Sequence, residues 1–224
     1  MVVNLDVVVA AKELFHVCQE AVQLENLSLI ITTGSTFPTD DPPDGEDLNC
    51  ALMARATTLK ALELRICGDT LYRHQFGRSK HLHCLLELKK LEQLTTDIPL
   101  VFGFEFDRQS PTLSKFPGRL KSLNLVDAWW PSVTPYPTLG ISVRRERQFV
   151  EVLLSLFGSE SRQRFPELKL RRLCYIFRAK NRCLSLNKLE GIKALFNEDR
   201  LSFSYEEDTY LGKDTSYRRI TGCL

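Results

Sequence analysis

Leu120-Lys121-Ser122-Leu123-Asn124-Leu125 is the clearest copy of a pattern that runs through this chain: leucine, two other residues, leucine, one other, leucine. Working outward, Leu59-Leu62-Leu64 and Leu24-Leu27-Leu29 repeat it with the same spacing. Leu91-Leu94-Thr96 puts Thr in the last place, and Leu170-Leu173-Tyr175 puts Tyr there and extends to Phe177. Leu201-Phe203 closes the series, read with Glu198 where the first leucine would stand. The copies start at 24, 59, 91, 120, 170 and 198, at spacings of 35, 32, 29, 50 and 28 residues.

The last three positions of each copy alternate, which is the signature of a strand with one buried face. Most copies follow a stretch with helical apolar spacing. These stretches are Ala10-Ala11-Leu14-Phe15-Cys18, Leu48-Ala51-Leu52-Met53-Ala56 with Asp47 as N-cap, and Leu82-Leu85-Leu86-Lys89. Phe149-Val152-Leu153-Leu156-Phe157, stopped by Gly158, and Leu189-Ile192-Leu195-Phe196 complete the set. The fourth copy lacks such a stretch, and Gly103, Pro111, Pro117 and Gly118 predict irregular chain there. Helix-then-strand units repeated in one direction build a parallel sheet, and one unit cannot bury both its parts alone, so the units must stack. The expected architecture is an α/β, leucine-rich-repeat-like solenoid of about six irregular units over residues 1–205. Residues 206–224 are expected to form a C-terminal cap or tail. The spacings are mostly longer than the roughly 20–29 residues usual for such repeats. Leu5, Val8, Val9 and Phe15 are read with the first helix, which is too apolar for an end cap, so a further segment or subunit is expected to cover it.

The totals agree with a folded chain that carries no strong electrostatic signature. Of 224 residues, 43% are hydrophobic and 26% charged, and the formal charge of +2 is too mild to imply a polyanion by itself. Seven cysteines, an odd number with no CxxC pair, sit mostly in apolar runs and fit reduced thiols better than a disulfide framework. Met1-Val2-Val3-Asn4-Leu5-Asp6 lacks the basic start of a signal peptide, and the chain contains no run of 18 apolar residues. A cytoplasmic or nuclear protein with no membrane contact is expected.

The leucines of each strand face the core, so the residues between them face the open, concave side of the sheet. These are Asn26, Ser28 and Ile30; Ala61, Glu63 and Arg65; Gln93, Thr95 and Asp97; Ser122, Asn124 and Val126; Arg172, Cys174 and Ile176; and Arg200, Ser202 and Ser204. Mixed polarity and both signs of charge suit a protein partner. Trp129 and Trp130, directly after the fourth strand, are candidate anchors, since tryptophan is enriched at binding hot spots. The partner-binding candidates are Glu63, Arg65, Gln93, Thr95, Asp97, Ser122, Asn124, Trp129, Trp130, Arg172 and Arg200.

Three stretches, Thr58-Leu59-Lys60-Ala61-Leu62-Glu63-Leu64, Gly118–Trp130 and Asp199–Asp208, resemble the repeat region of fungal F-box/leucine-rich-repeat-like proteins. The resemblance covers about residues 10–210. It implies a protein-interaction module that captures the substrate of a ubiquitin-ligase adaptor. In that family an F-box docks a Skp1-like adaptor. No Leu-Pro pair opens this chain, so such an adaptor would be a partner only if an F-box lies outside it.

Other signals are weaker. Residues 141–182 hold eleven bases against four acids, and this basic patch is the alternative reading, a nucleic-acid-associated solenoid. Residues 39–47 carry five acids and no base, and read as a solvated loop without calcium-loop spacing. His74, His81, His83 and Cys84 cluster without zinc spacing. No nucleophile elbow, Walker loop, dinucleotide loop or HExxH motif is present, so no cofactor and no enzymatic activity are expected.

Overall fold

Alternating leucines and helical stretches resolve into thirteen elements among the described residues: β1 (Val2–Asp6), α1 (Ala11–Glu20), β2 (Asn26–Thr32), α2 (Gly45–Met53), β3 (Ala61–Cys67), a 3-10 turn (His83–Glu87), β4 (Gln93–Asp97), α3 (Ile98–Phe102), β5 (Ser122–Asp127), α4 (Leu139–Phe157), β6 (Arg172–Phe177), α5 (Leu186–Asn197) and β7 (Ser202–Glu207). The computed structural model describes residues 2–6, 11–32, 45–67, 82–102, 116–127, 139–158, 169–177, 184–197 and 201–207. The protein is α/β, with one seven-stranded, all-parallel sheet in the order β1-β2-β3-β4-β5-β6-β7. Every strand therefore pairs with its sequence neighbours.

The register aligns the leucine template from strand to strand. Leu27, Leu62, Leu94, Leu123, Leu173 and Phe203 form one row across the sheet. Leu29, Leu64, Thr96, Leu125, Tyr175 and Tyr205 form the next. The first leucines, Leu24, Leu59, Leu91, Leu120 and Leu170, are buried just before their strands. All of these except Thr96 and the half-buried Tyr205 share one apolar core with Cys18 of α1, Leu48 of α2, Phe149 and Leu153 of α4 and Ile192 of α5. The helices thus cover one face of the sheet. Each buried leucine contributes roughly 2 kcal/mol.

Four expectations are corrected here. The first concerns Leu5, which lies in β1, paired with Leu29, and not in the first helix. The sheet therefore has one strand more than the leucine count implies. The second concerns the last copy: Phe203 pairs with Leu173 and Ser202 with Arg172, so this copy lies two residues later than the reading from Glu198, and β7 runs on to Glu207. The third concerns the stretch before β4, which is a 3-10 turn and not an α-helix. The turn buries Cys84 and Leu85, and the buried leucines Leu82, Leu85, Leu88 and Leu91 are spaced by three, while Leu86 and Lys89 are exposed. That period matches three residues per turn. The fourth concerns Asp47, which stands in the first turn of α2 beside Glu46, where the helix dipole favours acids, and is not its cap.

Polar side chains join neighbouring units. The last turn of α1 contains no base, and Arg55, from the following unit, donates to Gln19 O at 2.9 Å and Val22 O at 3.2 Å. Orphan carbonyls at that helix end are thereby satisfied. Buried Asn49 of α2 accepts from the Cys84 amide at 3.1 Å and holds the 3-10 turn against α2. α4 ends before Gly158, whose amide donates to Leu154 O at 2.9 Å. A Cβ at Gly158 would lie 2.5 Å from that oxygen, which is why glycine stops this helix.

Two substitutions separate packing from polarity in the sheet. Leu123→Ala, at a fully buried position of β5, is expected to lower unfolding free energy by about 2–5 kcal/mol. Thr96→Val should act in the opposite sense, because Thr96 Oγ1 is buried with no hydrogen-bond partner among the described residues. A gain of about 1 kcal/mol follows from removing an unsatisfied hydroxyl. Urea titration of the two variants and the parent checks both signs.

Candidate interaction face

Residues of the opposite parity form three rows on the face of the sheet away from the helices. The first is Asn26, Ala61, Gln93, Ser122, Arg172 and Ser202. The second is Ser28, Glu63, Thr95, Asn124, Cys174 and Ser204. The third holds Ile30, Arg65, Asp97, Val126, Ile176 and Glu206. In the first row Gln93, Arg172 and Ser202 are exposed and the others half-buried. The second row is half-buried apart from Cys174, which is buried.

Side chains in the second row bond across the strands. Ser28 Oγ donates to Glu63 Oε2 at 2.6 Å, and Asn124 Nδ2 donates to Thr95 Oγ1 at 2.9 Å. Burial pushes the Cys174 thiol above its ordinary value, against the opposing hydrogen bond from Ser204 on the next strand. These pairs hold the short polar groups in place, so the face is an ordered lattice of donors and acceptors.

The structure separates the sequence-derived candidates into three groups. Glu63, Gln93, Thr95, Ser122, Asn124 and Arg172 lie together on the first two rows and are exposed or half-buried. Arg65 and Asp97 sit at the carboxyl ends of β3 and β4 and are buried, 6% and 2% exposed, so they are not available to a partner on this face. Trp129, Trp130 and Arg200 lie outside the described residues. By register, Ser202 takes the first-row place expected for Arg200. On the helical side, Tyr175 donates its hydroxyl to Asp127, and both are buried. A tyrosine in a leucine row needs a partner for its hydroxyl, and the acid at the end of the neighbouring strand supplies it.

Sequence reasoning missed a second feature, on the margin where the strands begin. The residue after each first leucine is Glu25, Lys60, Glu92, Lys121 and Arg171 in turn. The backbone carbonyl of each of the first four accepts two amides from the next unit: Glu25 O from Lys60 and Ala61, Lys60 O from Glu92 and Gln93, Glu92 O from Lys121 and Ser122, and Lys121 O from Arg171 and Arg172. This repeated bond brings the charged side chains side by side. Lys60 Nζ lies 2.6 Å from Glu25 Oε1, and Lys121 Nζ lies 2.7 Å from Glu92 Oε2. The Lys60 bond and charge hold the Glu25 carboxyl below its ordinary value. The Lys121 bond does the same for Glu92, helped by the charges of Lys121, Arg119 and Lys60. The signal was present as an alternation of sign at one template position.

Gly45, Glu46 and Asp47 of the acidic stretch belong to α2, and residues 39–44 lie outside the described residues. Cys84 is buried, with its thiol pushed up to about 12 by desolvation, and His83 is exposed. Of the basic patch 141–182, Arg147 is exposed on α4 and paired with Glu151, while Lys169, Arg171 and Arg172 are exposed at the start of β6. Among the described residues no group of three His, Cys, Asp or Glu side chains could hold a metal ion, and no helix is long and apolar enough to cross a membrane.

The charge ladder has a definite pH signature. Carboxyls held below their ordinary 4.5 in the folded state stabilise it above that pH, and this contribution is lost as pH falls through the folded values. The double variant Glu25→Gln/Glu92→Gln is therefore expected to show a shallower loss of stability below pH 4.5 than the parent. The difference should shrink near 1 M salt, where screening acts within about 3 Å. Denaturation midpoints across pH 3–7 at low and high salt check this.

No protein-family model matches the chain, and no curated protein or solved structure matches it either.

Proposed function

We propose that this chain is a leucine-rich-repeat-like solenoid acting as a non-catalytic protein-interaction module, with its partner on the open face of the sheet. One observation carries the reading. The first two open rows run unbroken across β2–β7 and hold mostly short, ordered polar groups, with the exposed Gln93, Arg172 and Ser202 among them. A core-packing face would be apolar, and a catalytic face would gather convergent titratable groups. Sequential parallel strands with helices on one face match a stacked-unit architecture, in which the bare sheet is the usual binding surface. The resemblance to F-box/leucine-rich-repeat-like proteins adds a role in capturing the substrate of a ubiquitin-ligase adaptor.

Adding bulk without charge tests the face. Gln93→Tyr/Ser202→Tyr places two large side chains at exposed strand positions, where tyrosine is well tolerated. Quantitative affinity capture from cell extract with parent and variant should recover a set of proteins with the parent and lose it with the variant, at unchanged circular dichroism and denaturation midpoint. Identical recovery by both would sink the reading. Recovery of a Skp1-like adaptor with both proteins would place the ligase connection elsewhere than on this face.

A further inference from the structure

The charge ladder alternates in sign for four positions and then fails. Glu25, Lys60, Glu92 and Lys121 run minus, plus, minus, plus, and the fifth place is Arg171, beside Lys121. On its other side the register aligns Arg171 with Leu201, since Arg172 pairs with Ser202. The backbones of Lys121 and Arg171 lie one strand spacing apart, about 4.8 Å, so their like charges repel each other. Three more cations crowd the same corner. Arg119 stands two residues before Lys121, and Lys169 two residues before Arg171; the Lys169 amide donates to Gly118 O at 3.1 Å, which joins the two segments. Arg172 opens β6 on the first open row. All five side chains are exposed. The acid that the described residues bring to this corner is Glu92, already seated on Lys121 and also held by the charge of Arg119.

We infer that the corner formed by Arg119, Lys121, Lys169, Arg171 and Arg172 is a binding site for an acidic peptide segment of a protein partner. This rests on the interaction-module reading and names the chemistry of the partner. Glu92 on Lys121 shows how a carboxylate is held here. A run of Asp and Glu would continue the ladder past Glu92, the last acid that the described residues place in it, and would relieve the repulsion between Lys121 and Arg171. Carboxylates also suit Arg171 and Arg172, whose planar guanidinium groups bind them in bidentate fashion. A peptide fits better than nucleic acid. The cations are a compact group at the ends of two strands, not a stripe along a groove. Among the described residues, Phe116, Phe149, Tyr175 and Phe177 are buried and offer no stacking platform for bases.

The test is fluorescence anisotropy with a labelled twelve-residue peptide of mixed Asp and Glu, beside a labelled single-stranded DNA and a labelled duplex of matching charge. The full chain should bind the peptide more tightly than either nucleic acid, with affinity falling as salt rises from 50 to 200 mM. Lys169→Glu/Arg171→Glu/Arg172→Glu should weaken peptide binding at least tenfold. Arg147→Glu, on the exposed side of α4, changes the charge more than either Arg171→Gln or Lys169→Gln but should leave binding within twofold, because it lies outside the corner. Gln93→Tyr alone, two strands away from Arg172, should also retain peptide binding, so failure of the open-face reading and failure of the corner give different patterns. Two milder variants, Arg171→Gln and Lys169→Gln, each expected to weaken binding about threefold, keep the test decisive if the triple reversal does not fold. Equal peptide affinity for parent and corner variants overturns the proposal, as does tighter binding of DNA than of peptide.

Discussion

Fixed register between parallel strands is the constraint on which everything else in this sheet depends. A strand has a side-chain period of two, so a one-residue slip of any strand would turn its leucines to solvent and its serines and glutamates into the core. Three kinds of interaction hold the register, and they act at different depths. Leucine rows bury the helical face. Carbonyls at Glu25, Lys60, Glu92 and Lys121 each clamp two amides of the next unit at the strand entrance. Side-chain pairs such as Ser28 with Glu63 and Asn124 with Thr95 fasten the open face. The first is non-directional and tolerates Phe or Tyr for Leu. The second is backbone chemistry and tolerates almost any residue. Only the third depends on which polar side chain is present.

That difference explains how much of the molecule is legible in its sequence. The strands β2–β6 are legible because each carries an unbroken LxxLxL or a close variant, and their register then follows from aligning the leucines. β1 is not, because Val2–Asp6 carries only the last part of the template, with Val3 in place of its middle leucine. β7 is read two residues early because Leu201 imitates the middle leucine, while the residue at the Leu173 position is Phe203. Thr96 and Tyr175 look like defects in the pattern. One is an unsatisfied hydroxyl within a leucine row, and the other is coupled to Asp127 across a strand, a link that spacing alone does not show.

The open face is legible by parity and illegible by depth. Alternation correctly puts Glu63 and Arg65, or Thr95 and Asp97, on one side of their strands. It says nothing about how exposure changes along a strand. Here Gln93 is exposed, Thr95 half-buried and Asp97 buried on one and the same face. Val126 and Cys174, also on that face, are buried outside the main core. On β4 and β5 the more exposed part of this face thereby lies toward the strand entrances, the end of the sheet where the charge ladder also lies.

At that end the charges add little to the fold. An exposed ion pair is a weak contributor to stability because solvent screens it and two long side chains must be ordered. The backbone clamp already fixes the strands at this margin, so the charges on top of it are largely redundant for the fold. Redundant charges are free to vary without penalty. An alternation kept through four units and broken at the fifth, where the described residues set five cations against one acid, is a departure that packing does not require. The core constrains the leucines and the clamp constrains the backbone, but neither constrains the sign at position 171. In the proposed reading, the positive charge at 171 serves the acidic partner and not the sheet.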